Sequence, residues 1–433
     1  MHRITVPIGA AFIALTFSMA LCLTFALPFN APIAWAEPGH LDTFFSHDGV
    51  QTAFPNGAAA YAVAIDHHDR IVLAGSTLGA QPDIALARFT PGGRLDATFG
   101  QGGKVVTDLG ANEYAFDMAI QHDGGIVVVG ERGTAAADRF VVQRYRPNGT
   151  LDPGFAHGGT ALTGFGRRFQ SASAVAIMPS GRIVVAGSTS NGVTSRSAVA
   201  RYLIDGRLDR DFGGDGRVTT DVSPSGEQFT DIAILPDGRI VVAGSAEVSL
   251  VPVFSAVRYT RDGQLDPSFD GDGVSRVDVA PGADRARAIA RQSDGKLVLA
   301  GGVSAGGRDE WGLIRLGPRG HLDRSFAKRG RLVTDFGPGF DEAQAVVLQA
   351  NGRLLVAGRI REGGKDDIGL LRLKPGGGHD RTFAAGGRAL TDVAGGSDAA
   401  RDLTIAANGK IVVTGEATVT RIRRFVVGRY LYT

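Results

Sequence analysis

Cysteine is almost missing from this chain. The 433 residues hold one, Cys22, inside an N-terminal stretch that reads as a removable leader. A domain downstream of it has no disulfide, no thiol ligand and no thiol nucleophile. An excess of one charge is missing too: 46 Lys and Arg face 44 Asp and Glu. That balance excludes the one-sided basic field of a nucleic-acid binder, so no nucleic-acid partner is expected. Helical periodicity is absent. So are H-E-x-x-H, the G-x-S-x-G nucleophile elbow and the phosphate-binding P-loop, and the scattered histidines have no metal-ligand spacing. No cofactor is expected, and the sequence leans away from an enzyme. Tryptophan is reduced to Trp35 and Trp311.

The long apolar run from Ile4 to Leu27 follows His2 and Arg3, carries no formal charge, and precedes Ala34-Trp35-Ala36. A small-x-small pattern in that position marks a secretory signal peptide over residues 1–36, cut after Ala36. The alternative is an uncleaved anchor, since the run is long enough to cross a bilayer. Cys22 suggests lipidation, but Leu21 stands where a lipoprotein signal needs a small residue. Cleavage leaves residues 37–433 (433 minus 36, or 397), with no membrane span. The expected location is secreted, periplasmic or cell-surface.

What is abundant is repetition. A Leu-Asp-x-x-Phe element recurs with aspartates at Asp42, Asp96, Asp152, Asp209, Asp266, Asp323 and Asp380, at gaps of 54, 56 and then 57 residues. A period this regular means one supersecondary unit copied in series, and 397 is close to seven times 57. Within one copy, Ala115–Ile120 has strand content and His122-Asp123-Gly124 makes a tight turn. The run G-I-V-V-V-G to Gly130 reads as a buried strand, R-F-V-V-Q-R-Y to Tyr145 as a third, and Gly159–Thr163 as a fourth. Four short strands per copy are the content of one propeller blade. The chain begins its repeats with an outer strand and ends one strand short of a blade. Residues 41–54 are therefore expected to complete a last blade whose inner strands lie in 399–433, which removes the open edge of a linear array. The fold class is all-β: a single seven-bladed β-propeller over residues 37–433, with four-stranded blades. A solenoid is the alternative, but it needs capping repeats and none is visible.

The string RLDATFGQGGKVVTDLG, followed by FDMAIQHDGGIVVVG and FVVQRYRPNGTLD, resembles the delta-60 repeat of bacterial exported proteins. The resemblance covers the repeats throughout and implies a β-propeller and export. It implies no activity. Departures are local: His379 replaces the Leu of the seventh element, and Leu316 and Leu373 replace Tyr after the third-strand Arg.

Repeated residues read as scaffold. The aspartates Asp96, Asp152, Asp209, Asp266 and Asp323 are expected to fold local turns, and Phe99, Phe155, Phe212, Phe269 and Phe326 to wedge between blades. Arg144, Arg201, Arg258 and Arg315 sit in apolar third strands and are expected to pair with carboxylates. Asp270-Gly271-Asp272-Gly273 and Gly214-Asp215-Gly216 look like fragments of calcium loops without the full ligand set, so calcium is a weak possibility.

Function is expected where copies differ, in the loops on one face. Asp309, Glu310 and Trp311, then Arg361, Asp366 and Asp367, then Arg423, are the candidate ligand-binding residues. The interblade residues Glu113, Tyr114, Arg168, Glu227 and Asp284 join the same rim. The leading reading is an exported binding or interaction module, monomeric, with a protein or carbohydrate partner at the cell surface. Alternatives are a propeller hydrolase or lyase acting on glycans or lactones, and a structural envelope or matrix protein. Buried acids across the channel mouth would favour the enzyme; a channel lined by Ala, Val and Gly would favour the module.

Overall fold

The computed structural model describes residues 4–6, 38–134, 137–393 and 395–432. Among the described residues there is no helix, and the strands form seven sheets arranged as blades around a channel. The inner strands of blades one to seven are Ala58–Ile65, Asn112–Ile120, Phe169–Ile177, Glu227–Ile234, Asp284–Arg291, Glu342–Leu348 and Asp398–Ile405. In blades one to six each is followed outward by three antiparallel partners in sequence order.

Blade seven is assembled from both ends of the repeat array. Val50–Ala53 pairs antiparallel with Ile422–Tyr430, in register Val50↔Gly428 to Ala53↔Phe425. The backbone amide of Asp42 also donates to the Arg429 carbonyl at 2.7 Å. Blade six carries one strand more than the sequence indicates. Ile4–Val6 runs parallel to Thr391–Val393 on its outer edge. The rest of the expected leader, with its cleavage point at Ala36, lies outside the described residues. Among the described residues no helix is long and apolar enough to cross a membrane.

Second strands are buried on both faces, which is why they read as unbroken β-branched runs such as Ile126–Val129. The core is a series of interblade layers. One layer joins Val184, Ala186 and Phe212 of blade three to Ile232, Val242 and Tyr259 of blade four. Each such aliphatic or aromatic side chain contributes about 1.5–3 kcal/mol on burial.

One clamp recurs in all seven blades among the described residues. The third-strand arginine donates Nε to the aspartate of the Leu-Asp-x-x-Phe element, at 2.8 Å for Arg88–Asp96 and 2.7 Å for Arg429–Asp42. Its Nη1 donates to a carbonyl of the next blade, as Arg315 does to Pro375 at 2.7 Å. The guanidinium lies over the element's Phe ring, 4.5 Å from the centroid for Arg88 and Phe99. That Phe edges into a turn of the next blade where only glycine fits: a Cβ on Gly206, at φ +84°, would meet Phe155 at 2.8 Å. Leu-Asp-x-x-Phe is thus one half of an interblade staple, and the Arg is the other.

The departures from the repeat are compensated. Tyr145, Tyr202 and Tyr430 donate their hydroxyls to Thr107, Thr163 and Thr391 of the preceding blade at 2.8, 2.7 and 3.0 Å. Leu373 gives no such bond to Thr334, and Thr334 instead faces Nε2 of His379, the residue that replaces leucine, at 3.4 Å.

Candidate functional site in the channel mouth

Each inner strand contains a bulge. The register with the second strand skips one residue between Ala60 and Ala62, and at the equivalent point in every other blade. A bulge turns the extra side chain out of the ladder. The extra residues are Tyr61, Phe116, Ser173, Thr230, Arg287, Gln344 and Arg401, one per blade, all half-buried and all lining one cavity of about 300 Å³ in the channel. The repeated glycine, the fifth residue of each second strand, which runs on beyond it, stands opposite the bulge. A Cβ there would come within 1.7–2.1 Å of an inner-strand carbonyl oxygen, so no other residue is accommodated.

The ring is polarised. Tyr61 and Phe116 meet edge to face at 5.9 Å, and Tyr114 stacks on Phe116 at 6.2 Å. Hydroxyls follow on blades three and four, where Thr230 donates to the Ala286 carbonyl at 3.1 Å. Blades five to seven bring guanidinium and amide groups. Arg287 Nε reaches Glu342 Oε1 at 2.7 Å, Gln344 Nε2 reaches Glu342 Oε2 at 2.8 Å, and Arg401 Nη2 reaches Glu416 Oε1 at 2.7 Å.

Beneath the ring the next residue is alanine in four blades, as the inner-strand pattern suggests, but Asp117, Asp231 and Asp402 in the others. Each aspartate joins two blades. Asp117 accepts from the amides of Met118 and Val175, both at 2.7 Å, and Asp231 from those of Ile232 and Ile289, both at 2.7 Å. Asp402 accepts from Leu403 at 2.7 Å and Val63 at 2.8 Å, across the closure of the ring. All three line the channel cavity. Burial pushes Asp231 up to about 7 and Asp402 to about 6, against the pull of those amide bonds. Burial and the repulsion of Asp402 and Asp231 raise Asp117 well above the usual carboxylate range.

The loops between blades and the hairpins between second and third strands share the mouth's face. The amide of Asp341 donates to the Asp309 carbonyl at 2.9 Å, and that of Asp138 to the Arg168 carbonyl at 2.8 Å. The rim acids of the sequence reading have a local task there. Glu113 accepts from Leu109 and Ala111 at 3.1 and 3.0 Å, Glu227 from Val222 and Ser197 at 3.2 and 3.1 Å, and Asp284 from Val279 and Ala280 at 2.7 and 3.1 Å. Burial raises all three, Glu227 to about 7 and Asp284 to about 6.

The sequence-derived ligand set is redistributed. Trp311 is a correction: it is fully buried between blades five and six, 4.6 Å from the Phe336 ring, with Nε1 donating to the Arg359 carbonyl at 3.1 Å. The stretch read as a loop is the strand Arg308–Leu316, whose fourth residue, Trp311, is the first that is buried. Asp367 is likewise fully buried, inside the strand Lys365–Leu373. Asp309 is tied to Ser304 Oγ at 2.7 Å. Burial and Asp335 raise Glu310. Arg361 stays on an exposed hairpin, 3.8 Å from Asp366. Arg423 pairs with Glu416 at 3.1 Å, the acid that Arg401 of the ring also holds. The bulge ring and the three channel aspartates were missed. The signal for the ring was an inner-strand position that carries Tyr, Phe, Ser, Thr, Arg, Gln and Arg in successive copies.

Two groups of three acids converge closely enough to consider a cation: Asp83, Asp108 and Glu113, and Asp367, Asp392 and Asp398, each with oxygens within 4.8 Å of one another. Three oxygens fall short of the six to eight that calcium takes. The carboxylates of the calcium-like strings serve their own turns: Asp215 bonds Arg217, and Asp272 accepts from Val274 at 2.8 Å.

The family described as a domain of unknown function (DUF5122) beta-propeller matches residues 69–99, 121–155, 179–212, 235–269, 292–326 and 349–383. Six matches at the repeat spacing make this a β-propeller repeat protein. None of the curated proteins matches. Among solved structures, the chain is similar to polysaccharide lyase Uly1, with 11% identity, 86% of this chain and 90% of that chain covered, and a TM-score of 0.48. It is also similar to Sqt1 from Chaetomium thermophilum bound to the N-terminus of ribosomal protein L10, with 12% identity, 87% and 97% coverage, and a TM-score of 0.46. A third is a virginiamycin B lyase from Staphylococcus aureus with quinupristin, with 12% identity, 88% and 98% coverage, and a TM-score of 0.45.

Proposed function

We propose that this protein is an exported binding module that holds a small carbohydrate at the channel mouth. One observation carries the reading. Seven equivalent bulge positions, held alike by the scaffold, present seven side chains of graded chemistry to one cavity: two aromatics, two hydroxyls, two guanidiniums and an amide. A sugar offers an apolar face to the rings of Tyr61 and Phe116 and hydroxyls to the remaining wall. The cavity, at about 300 Å³, stands at the small end of ligand sites. Export rests on the leader read over residues 1–36.

The test is thermal unfolding against a panel of soluble sugars, since a ligand that prefers the native state raises the melting temperature by mass action. A concentration-dependent rise that disappears in Tyr61→Ala supports the site. A rise unchanged by Tyr61→Ala moves the ligand elsewhere, and a flat response across the panel removes the carbohydrate.

The enzyme reading has one observation in its favour, the three channel carboxyls shifted toward neutrality. Each of them, however, already accepts two backbone amides from two blades at 2.7–2.8 Å. Glycan cleavage abolished in Asp231→Asn, with the fold retained, would restore the hydrolase or lyase.

A further inference from the structure

On the arginine wall of the mouth each carboxylate is shared by two guanidiniums. Glu342 is shared by Arg287 at 2.7 Å and Arg359 at 3.7 Å, and Glu416 by Arg401 at 2.7 Å and Arg423 at 3.1 Å. Asp366 is shared by Arg359 at 3.9 Å and Arg361 at 3.8 Å. Each of the three carboxylates is thus divided between two guanidiniums; of these arginines Arg287 and Arg401 line the cavity, beside Asp117, Asp231 and Asp402, whose carboxylates are already engaged by backbone amides. Glu342 and Glu416 are mostly covered, so the two arginines of the bulge ring stand between these carboxylates and the cavity. The aromatic wall of Tyr61 and Phe116 belongs to other blades of the same ring, and Arg401 approaches the Tyr61 ring at 5.9 Å.

We propose that the ligand is an acidic sugar, a hexuronate or short oligouronide, whose carboxylate is received by Arg287 and Arg401 while its ring lies on Tyr61 and Phe116. This rests on the channel-mouth reading above and narrows it. A guanidinium that shares its acid with a second arginine keeps donors for a ligand carboxylate, and the bidentate fork matches that group in plane and spacing. Ser173, Thr230 and Gln344 supply partners for ring hydroxyls. A neutral sugar would leave the free donors of the two ring guanidiniums unused; a simple inorganic anion would leave the aromatic wall unused.

The discriminating experiment is calorimetric titration of the full chain with digalacturonate, with its fully methyl-esterified form, and with inorganic phosphate. The acid should bind at least tenfold more tightly than the ester, and phosphate more weakly than either. Arg287→Gln should lower affinity for the acid about tenfold and leave that for the ester unchanged; Arg401→Gln should do the same. Circular dichroism and melting temperature report whether each variant folds. Equal binding of acid and ester overturns the acidic ligand but keeps the mouth as a sugar site. Phosphate binding as tight as that of the uronide overturns the sugar half. No binding of either sugar form overturns this inference together with the carbohydrate reading on which it rests.

Discussion

Arg258 and Asp266 form a buried pair in blade four, with Nε 2.7 Å from Oδ2. Arg258 Nη1 donates to the Pro318 carbonyl of blade five at 2.5 Å. Burial alone would raise the Asp266 carboxyl. Hydrogen bonds from Ser268 and Arg239, with the charge of Arg258, more than reverse this and hold it at about 2. Burial and neighbouring Arg239 pull the Arg258 guanidinium down instead. The carboxylate shift is the one that matters for stability, because arginine stays charged at any accessible pH. Replacing Arg258 by Met leaves Asp266 and a carbonyl of the next blade short of a donor. The expected loss is about 3 kcal/mol, at the low end for a broken buried pair because Arg239 still reaches Asp266 at 2.9 Å. Denaturant unfolding measures it; an unchanged midpoint would remove the clamp from the account of ring stability.

A second prediction concerns pH. Asp231, Glu227 and Asp398 have native values of about 7, and Asp402, Asp284 and Asp341 about 6, all raised first by burial. Between about pH 4 and those values the native state binds more protons than the unfolded chain, so stability falls as pH rises through that window. Asp266 and Asp323 are shifted the other way, to about 2, and their contribution disappears as pH falls from about 4 toward 2. The melting temperature should therefore peak near pH 4 to 5 and decline toward pH 8. Asp231→Asn should flatten the decline. A melting temperature that climbs from pH 5 to 8 would contradict the burial of these acids.

The wedge between blades can be separated from backbone strain with two glycines. Gly206 has φ +84° and Phe155 within 2.8 Å of an added Cβ; Gly214 has φ +87° and open space. Gly214→Ala should cost only the left-handed backbone, about 1–2 kcal/mol. Gly206→Ala should cost about 1–3 kcal/mol more, because Phe155 must move in a packed layer. Equal losses in the two variants would mean that the Phe does not fill the space between blades.

The hairpin of blade four turns on Ser249 and Leu250, at φ +52° and +68°, where blade six uses Gly363 and Gly364 at +61° and +84°. Two-residue turns of this hand favour Asn-Gly. Converting Ser249 to Asn and Leu250 to Gly should raise stability by about 1–2 kcal/mol by relieving left-handed strain. It also removes an exposed leucine. A destabilised double variant would indicate that the Leu250 side chain packs in solution.

The fold was legible because the backbone needs the same residues in every copy: Asp and Phe for the staple, Gly opposite the bulge, and β-branched runs for strands buried on both faces. The closure of blade seven followed from the order of elements alone. The site was less legible for a geometric reason. The sequence reading sought variation in loops, but in blades five to seven the second and third strands extend to nine residues and meet in two-residue turns. Trp311 and Asp367 therefore alternate into the interior. The bulge residues hide inside strands because a skipped register cannot be read from residue types. The repeated Gly inside each second strand was its trace. The channel aspartates are too irregular, at three of seven copies, to stand out from Ala.

Asp42 waits for Arg429, 387 positions later, before its clamp can form, although blades one to six already hold their own. During synthesis the first strand of the array is made hundreds of residues before its partner. The circle therefore stays open until the Ile422–Tyr430 strand has been made, and its closure joins the two most distant parts of the array.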